Sequence, residues 1–126
     1  MIFLCKYVRF NANEKNRVTD DSLIRALSVV LNKTYTDIYS SLSQFAQKEC
    51  LATSDKRLIK SFLQYLGFRR YTLNHKCTVE EFATREAKQY YNYVLQVGNK
   101  VTAMKSGVLY DLNDYRNKIV TNYWVV

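Results

Sequence analysis

The hydrophobic period of this chain changes once, near Tyr90, and that change constrains the fold more than any other feature. Before it, apolar residues recur at helical spacing. After it, they alternate. Thr19-Asp20-Asp21-Ser22 supplies capping side chains ahead of Leu23, Ile24, Ala26, Leu27, Val30 and Leu31, which share one helical face. Thr36-Asp37 opens a second helix with Ile38, Leu42, Phe45 and Cys50 on one side. Ser54-Asp55 opens a third with Leu58, Ile59, Phe62, Leu63 and Leu66, and Gly67 follows as a left-handed C-terminal cap. Thr78-Val79-Glu80-Glu81 has the form of a capping box, and the short helix it starts buries Val79, Phe82 and Ala83.

From Tyr91 the pattern is that of strands. Tyr91, Tyr93, Leu95 and Val97 alternate with Asn92, Val94 and Gln96. Gly98-Asn99 turns into a strand over Val101 to Met104. Ser106-Gly107 turns into Val108-Leu109-Tyr110, and Ile119 to Val126 closes the set. The order predicts an α+β fold with N-terminal helices packed on a C-terminal antiparallel sheet. With 126 residues the chain has room for one domain, expected to span 1–126.

Composition narrows the function classes. No apolar run approaches the roughly 18 residues that span a bilayer, and Met1 to Lys6 lacks the basic region of a signal peptide, so no membrane association is expected. The three cysteines, Cys5, Cys50 and Cys77, are odd in number and far apart, and His75 is the single histidine. That argues against a zinc site or a disulfide framework and suits a reducing, cytoplasmic location; no metal and no cofactor are expected. A formal charge of +8 points to an acidic partner, and eleven tyrosines supply amphipathic contact area.

Several segments together resemble the small papain-like cysteine peptidase proteins of phages and bacterial mobile elements. These are similar to the peptidase domain of bacteriocin-processing transporters. The resemblance is carried by Asp21-Ser22-Leu23-Ile24-Arg25-Ala26-Leu27, where the family has an aspartate–cysteine pair followed by arginine and alanine. It is carried further by Lys33-Thr34-Tyr35-Thr36-Asp37-Ile38-Tyr39 and by Thr78-Val79-Glu80-Glu81-Phe82. The last matches are the hairpin Gly107-Val108-Leu109-Tyr110-Asp111 and the terminal Tyr123-Trp124. It runs from about Phe10 to the C-terminus, and its order and spacing are more specific than any one motif.

The resemblance implies a papain-like fold and assigns positions for a catalytic apparatus. A cysteine thiolate at a helix N-terminus is activated by the macrodipole and a histidine, the histidine is oriented by a carboxylate or amide, and an amide donates to the oxyanion. Asn16, six residues before Ser22, falls at the oxyanion position, Ser22 at the nucleophile, and Asp111 at the orienting carboxylate. Gly98-Asn99-Lys100-Val101-Thr102-Ala103 places Lys100 where the family has histidine. Serine cannot act as a preformed thiolate, and two catalytic positions depart together. One replaced nucleophile could mark an enzyme trapped by substitution, but that does not explain Lys100. The resemblance therefore implies a pseudopeptidase with a vestigial site and no expected activity. The alternative is an active peptidase-like enzyme or Ser–Lys hydrolase using Ser22, which requires a buried, neutral Lys100. Asp111 nearby would keep that lysine protonated, so a Lys100–Asp111 ion pair is expected instead.

His75 and Cys77 sit in the polar segment Leu73-Asn74-His75-Lys76-Cys77 and are expected to be a solvated loop residue and a non-catalytic thiol. Cys5 and Cys50 are expected to be small buried hydrophobes. The basic residues Lys56, Arg57, Lys60, Arg69, Arg70 and Lys76 cluster with Tyr65, Phe68 and Tyr71 interleaved. They are the expected partner-binding surface, with Lys6, Arg9, Lys15 and Arg17 as a second basic stretch. A protein partner with an acidic face is expected, in the manner of a phage-encoded inhibitor acting on a host protein, through a peptide groove retained after the chemistry was lost. Sequence-nonspecific nucleic-acid binding is the other reading of the same composition.

Overall fold

The computed structural model describes residues 5–13, 21–88 and 91–125. Asn16, Lys15 and Arg17 lie outside the described residues, as do Thr19, Asp20, Tyr90 and Val126. The elements run β1 (Lys6–Arg9), α1 (Ser22–Leu31), α2 (Tyr35–Lys48), α3 (Arg57–Tyr65), β2 (Arg69–Thr72) and α4 (Val79–Glu81). One π-helical turn follows α4, over Phe82–Glu86. Then come β3 (Asn92–Val97), β4 (Lys100–Lys105), β5 (Val108–Asp111) and β6 (Asn122–Val125).

Local chemistry sets most helix ends. Thr34 caps α2 by accepting from the Asp37 N–H at 3.1 Å, so that helix opens one residue before the expected Thr36. Asp55 accepts from the Arg57 N–H at the start of α3. Gly67 (φ 91°) lies in the left-handed region after α3, and the Phe68 N–H donates back to the Leu63 carbonyl. The capping box forms in both directions: Glu81 N–H to Thr78 Oγ1 at 3.1 Å and Thr78 N–H to Glu81 Oε1 at 3.2 Å. Cys50 departs from expectation. α2 ends at Lys48, and Cys50 is exposed with φ 57°, so it is not a core residue.

Among the described residues the sheet is six-stranded and mixed, in the order β1-β5-β4-β3-β6-β2. Every pairing is antiparallel except β1 with β5, which is parallel. The architecture is α+β, but two expectations fail. Helices and strands are not fully segregated, because β1 precedes all helices and β2 lies between α3 and α4. The last strands do not form a simple meander either. β6 crosses back to lie beside β3, and the stretch from Ile119 to Thr121 makes an isolated bridge to Thr78 and single backbone hydrogen bonds before the strand starts at Asn122.

Each face of the sheet has its own core. On one, Leu23 and Leu27 of α1, Leu42 of α2 and Phe62 of α3 pack with Val94, Val101, Ala103 and Trp124. On the other, Val79 and Phe82 pack with Tyr93, Leu95, Met104 and Leu109. Val94 and Leu95 are both fully buried, so β3 is covered on both sides. That is why it carries an apolar residue where strict alternation would put a polar one. No helix among the described residues is long and apolar enough to cross a membrane.

Candidate functional site

Ser22 is the first residue of α1 and is buried. The Val101 N–H, on β4, donates to Ser22 Oγ at 3.3 Å. The hydroxyl is thus held by a backbone donor from the strand that begins at Lys100. Lys100 itself is exposed. Val101 and Ala103 point to the face covered by α1, whereas Met104 belongs to the other core. Lys100 has the parity of Met104, so the strand aims it away from the helix that carries Ser22.

Asp111 is not paired with Lys100. The expected ion pair is replaced by one with Arg25, whose Nη1 lies 2.9 Å from Asp111 Oδ1 and whose Nε lies 2.6 Å from Asp21 Oδ1. The Tyr35 hydroxyl donates to Asp21 Oδ2 at 2.8 Å, and the Leu112 N–H donates to Asp111 Oδ1 at 2.6 Å. The Asp111 carbonyl accepts from the Tyr7 hydroxyl and the Phe10 N–H, both at 3.0 Å, which ties the end of β1 to β5. The reason for the exchange is shape. A planar guanidinium presents donors in fixed directions and can join two carboxylates, which a single ammonium does less well. Burial would depress the Arg25 pKa, but its hydrogen bonds and the charges of Asp21 and Asp111 outweigh that and raise it. The sequence contained a sign of this network, the Asp21–Arg25 spacing of one helical turn. Its partner on β5 had no local signature.

The space beside Ser22 is about 20 Å³, bordered by Asp21, Ser22, Leu42, Asp55, Lys56 and Ile59. That is room for one water, not for a peptide. The expected peptide groove is therefore absent there among the described residues. The buried thiols offer no substitute nucleophile. Burial, reinforced by the Glu80 charge, pushes the Cys5 thiol up, and burial with Glu81 does the same to Cys77, the reverse of an activated cysteine. His75 is exposed, with Nε2 3.7 Å from Glu86 Oε1, whereas Cys77 is buried with Sγ donating to the Thr78 carbonyl.

The basic cluster is exposed at all six positions, Lys56, Arg57, Lys60, Arg69, Arg70 and Lys76, but it is not one patch. Arg57 is engaged by Asp55 at 2.8 Å, and its hydrogen bonds lower the Asp55 carboxyl to about 2. Arg69 and Arg70 sit on the edge strand β2 and point to opposite faces. Arg69 shares the parity of Tyr71, which stacks on Tyr123 at 5.2 Å. Arg70 lies opposite Trp124 and joins Lys60, Gln64 and Phe68 around a depression of about 310 Å³. Arg70 also borders a second, more open depression of about 500 Å³ with Thr72, His75, Lys76, Ile119 and Asn122. A third, of about 350 Å³, lies between the end of α1 and β5, with Phe10, Val29, Lys33, Lys105 and Tyr110 on its walls.

No family model matches the chain, and no curated protein or solved structure matches it.

Proposed function

We propose that this chain is a catalytically inert, papain-like binding module that docks on a partner protein with an acidic surface, as a phage or mobile-element accessory protein acting on a host protein would. The observation that carries this reading is the contrast between two places. Among the described residues there is space for one water beside Ser22, whereas the basic surface at Arg70 opens into two depressions of about 310 and 500 Å³. A Ser–Lys hydrolase needs a desolvated lysine within reach of the hydroxyl, and Lys100 is exposed while Ser22 Oγ is occupied by the Val101 N–H. Within the basic cluster, Arg70 borders both depressions, with Lys60 on one and Lys76 on the other. Cations of this kind steer an acidic partner and set register more than they add raw affinity.

The test is capture from host lysate by the parent and by the Arg69→Glu/Arg70→Glu variant, with nuclease added. A protein retained by the parent after nuclease, and lost by the variant in a salt-dependent way, is the expected result. Retention that disappears with nuclease, and that falls steeply with log salt, would instead identify nucleic acid as the ligand.

A further inference from the structure

Among the described residues β2 ends the sheet, and its backbone phase is fixed by one hydrogen bond. The Leu73 N–H donates to the Thr121 carbonyl at 3.1 Å. Carried through the β2–β6 register, this phase makes Tyr71–Tyr123 and Arg69–Val125 the hydrogen-bonded pairs, while at Leu73 only this one bond forms, because the Thr121 N–H donates to the Gln96 carbonyl. The N–H and C=O groups of Arg70 and Thr72 consequently point outward, along the open edge. They present two donors and two acceptors at the two-residue repeat that a further strand would match.

The surroundings of this edge select the occupant. All four residues of β2 are exposed. The two depressions that flank the edge share Arg70, are walled by the cations Lys60, Arg70 and Lys76, and among the described residues have no Asp or Glu on their walls. Positive edge strands repel copies of themselves, which is how natural sheets avoid pairing edge to edge. The same charge attracts an acidic strand. The side chain of Thr72 is already satisfied by Asn122 Oδ1 at 2.8 Å, so it does not compete for the backbone of an incoming segment.

We infer that β2 is the docking edge, and that an acidic, extended segment of the partner adds to the sheet by pairing its backbone with Arg70 and Thr72. Side chains on one face of that segment enter the two depressions that meet at Arg70. The inference rests on the binding-module reading and specifies its mode.

The probe is a short synthetic peptide alternating Glu with Val, measured beside the same peptide N-methylated along its backbone. Binding of the first should slow amide exchange at Arg70 and Thr72 by about tenfold or more while leaving Arg69, Tyr71 and Leu73, already bonded to β6, unchanged. Thr72→Pro removes the outward N–H, which an edge strand tolerates, together with the hydroxyl that donates to Asn122, and should weaken binding by about tenfold. Thr72→Val removes the hydroxyl and keeps the N–H, and a loss of binding as large as that of Thr72→Pro would overturn strand addition. If Thr72→Pro does not fold, the exchange pattern of the parent still decides. A peptide that binds without protecting Arg70 and Thr72, or equally well when N-methylated, overturns strand addition. So does failure of the peptide to bind, or binding of a single-stranded oligonucleotide in its place. Loss of the lysate partner on the Arg69/Arg70 reversal is a separate readout, so the binding-module reading can stand when strand addition falls.

Discussion

Arg25 of α1 and Asp111 of β5, 86 residues apart, are joined by an Nη1–Oδ1 contact of 2.9 Å. The same guanidinium holds Asp21 one turn before it, so one side chain links the start of the first helix to the end of a central hairpin. Removing it strands two buried carboxylates. Arg25→Ala should cost about 3 kcal/mol, discounted from the upper range for broken buried pairs because the guanidinium keeps some contact with water. Arg25→Lys should recover only part of this, since an ammonium cannot bridge both carboxylates with fixed geometry. Denaturant unfolding of the three proteins measures the difference, and equal stabilities would show the bridge to be energetically silent.

Ser22 is predicted to matter for the fold and not for activity. Ser22→Ala leaves the Val101 N–H without its acceptor in a buried setting. The expected cost is about 1–2 kcal/mol. Partner binding at a temperature well below unfolding should be unchanged. A large loss of biological activity with folding intact would return the chain to the enzymes.

Thr102 is 1% exposed, and its hydroxyl has no hydrogen-bond partner among the described residues. A buried hydroxyl without a partner gives up its hydration for nothing, so an apolar group of the same shape should do better. Thr102→Val is expected to stabilise by about 1 kcal/mol, seen as a rise of roughly 4 °C in Tm. A fall in Tm would mean that the hydroxyl is satisfied in solution.

The three thiols should separate by reactivity. Cys50 is exposed, whereas Cys5 and Cys77 are buried and held in the thiol form by burial and nearby carboxylates. A disulfide reagent should modify one cysteine quickly and the other two only at the rate of unfolding. Cys50→Ser should abolish the fast phase.

What the sequence determined alone was whatever is decided within a few residues of chain. The Thr78–Glu81 capping box, the Gly67 cap and the helical faces of Leu23–Leu27 and Leu58–Leu63 depend on i, i+3 and i, i+4 relations, and they form as read. Cys50 marks the limit of such reasoning. It continued the spacing of α2, but the helix stopped two residues earlier and the chain turned through a left-handed conformation.

The tertiary structure alone decided the pairings between distant segments. Asp111 could have met Lys100 or Arg25 as far as charge was concerned; strand parity turned Lys100 away, and packing of α1 over β4 brought Arg25 within reach. Arg69 and Arg70 read as adjacent charges of one basic cluster, but pairing with β6 made them opposite faces of an edge strand and left Arg70 with the outward backbone. Register and strand order depend on which apolar faces find each other across the whole chain, and a local pattern carries no information about that choice.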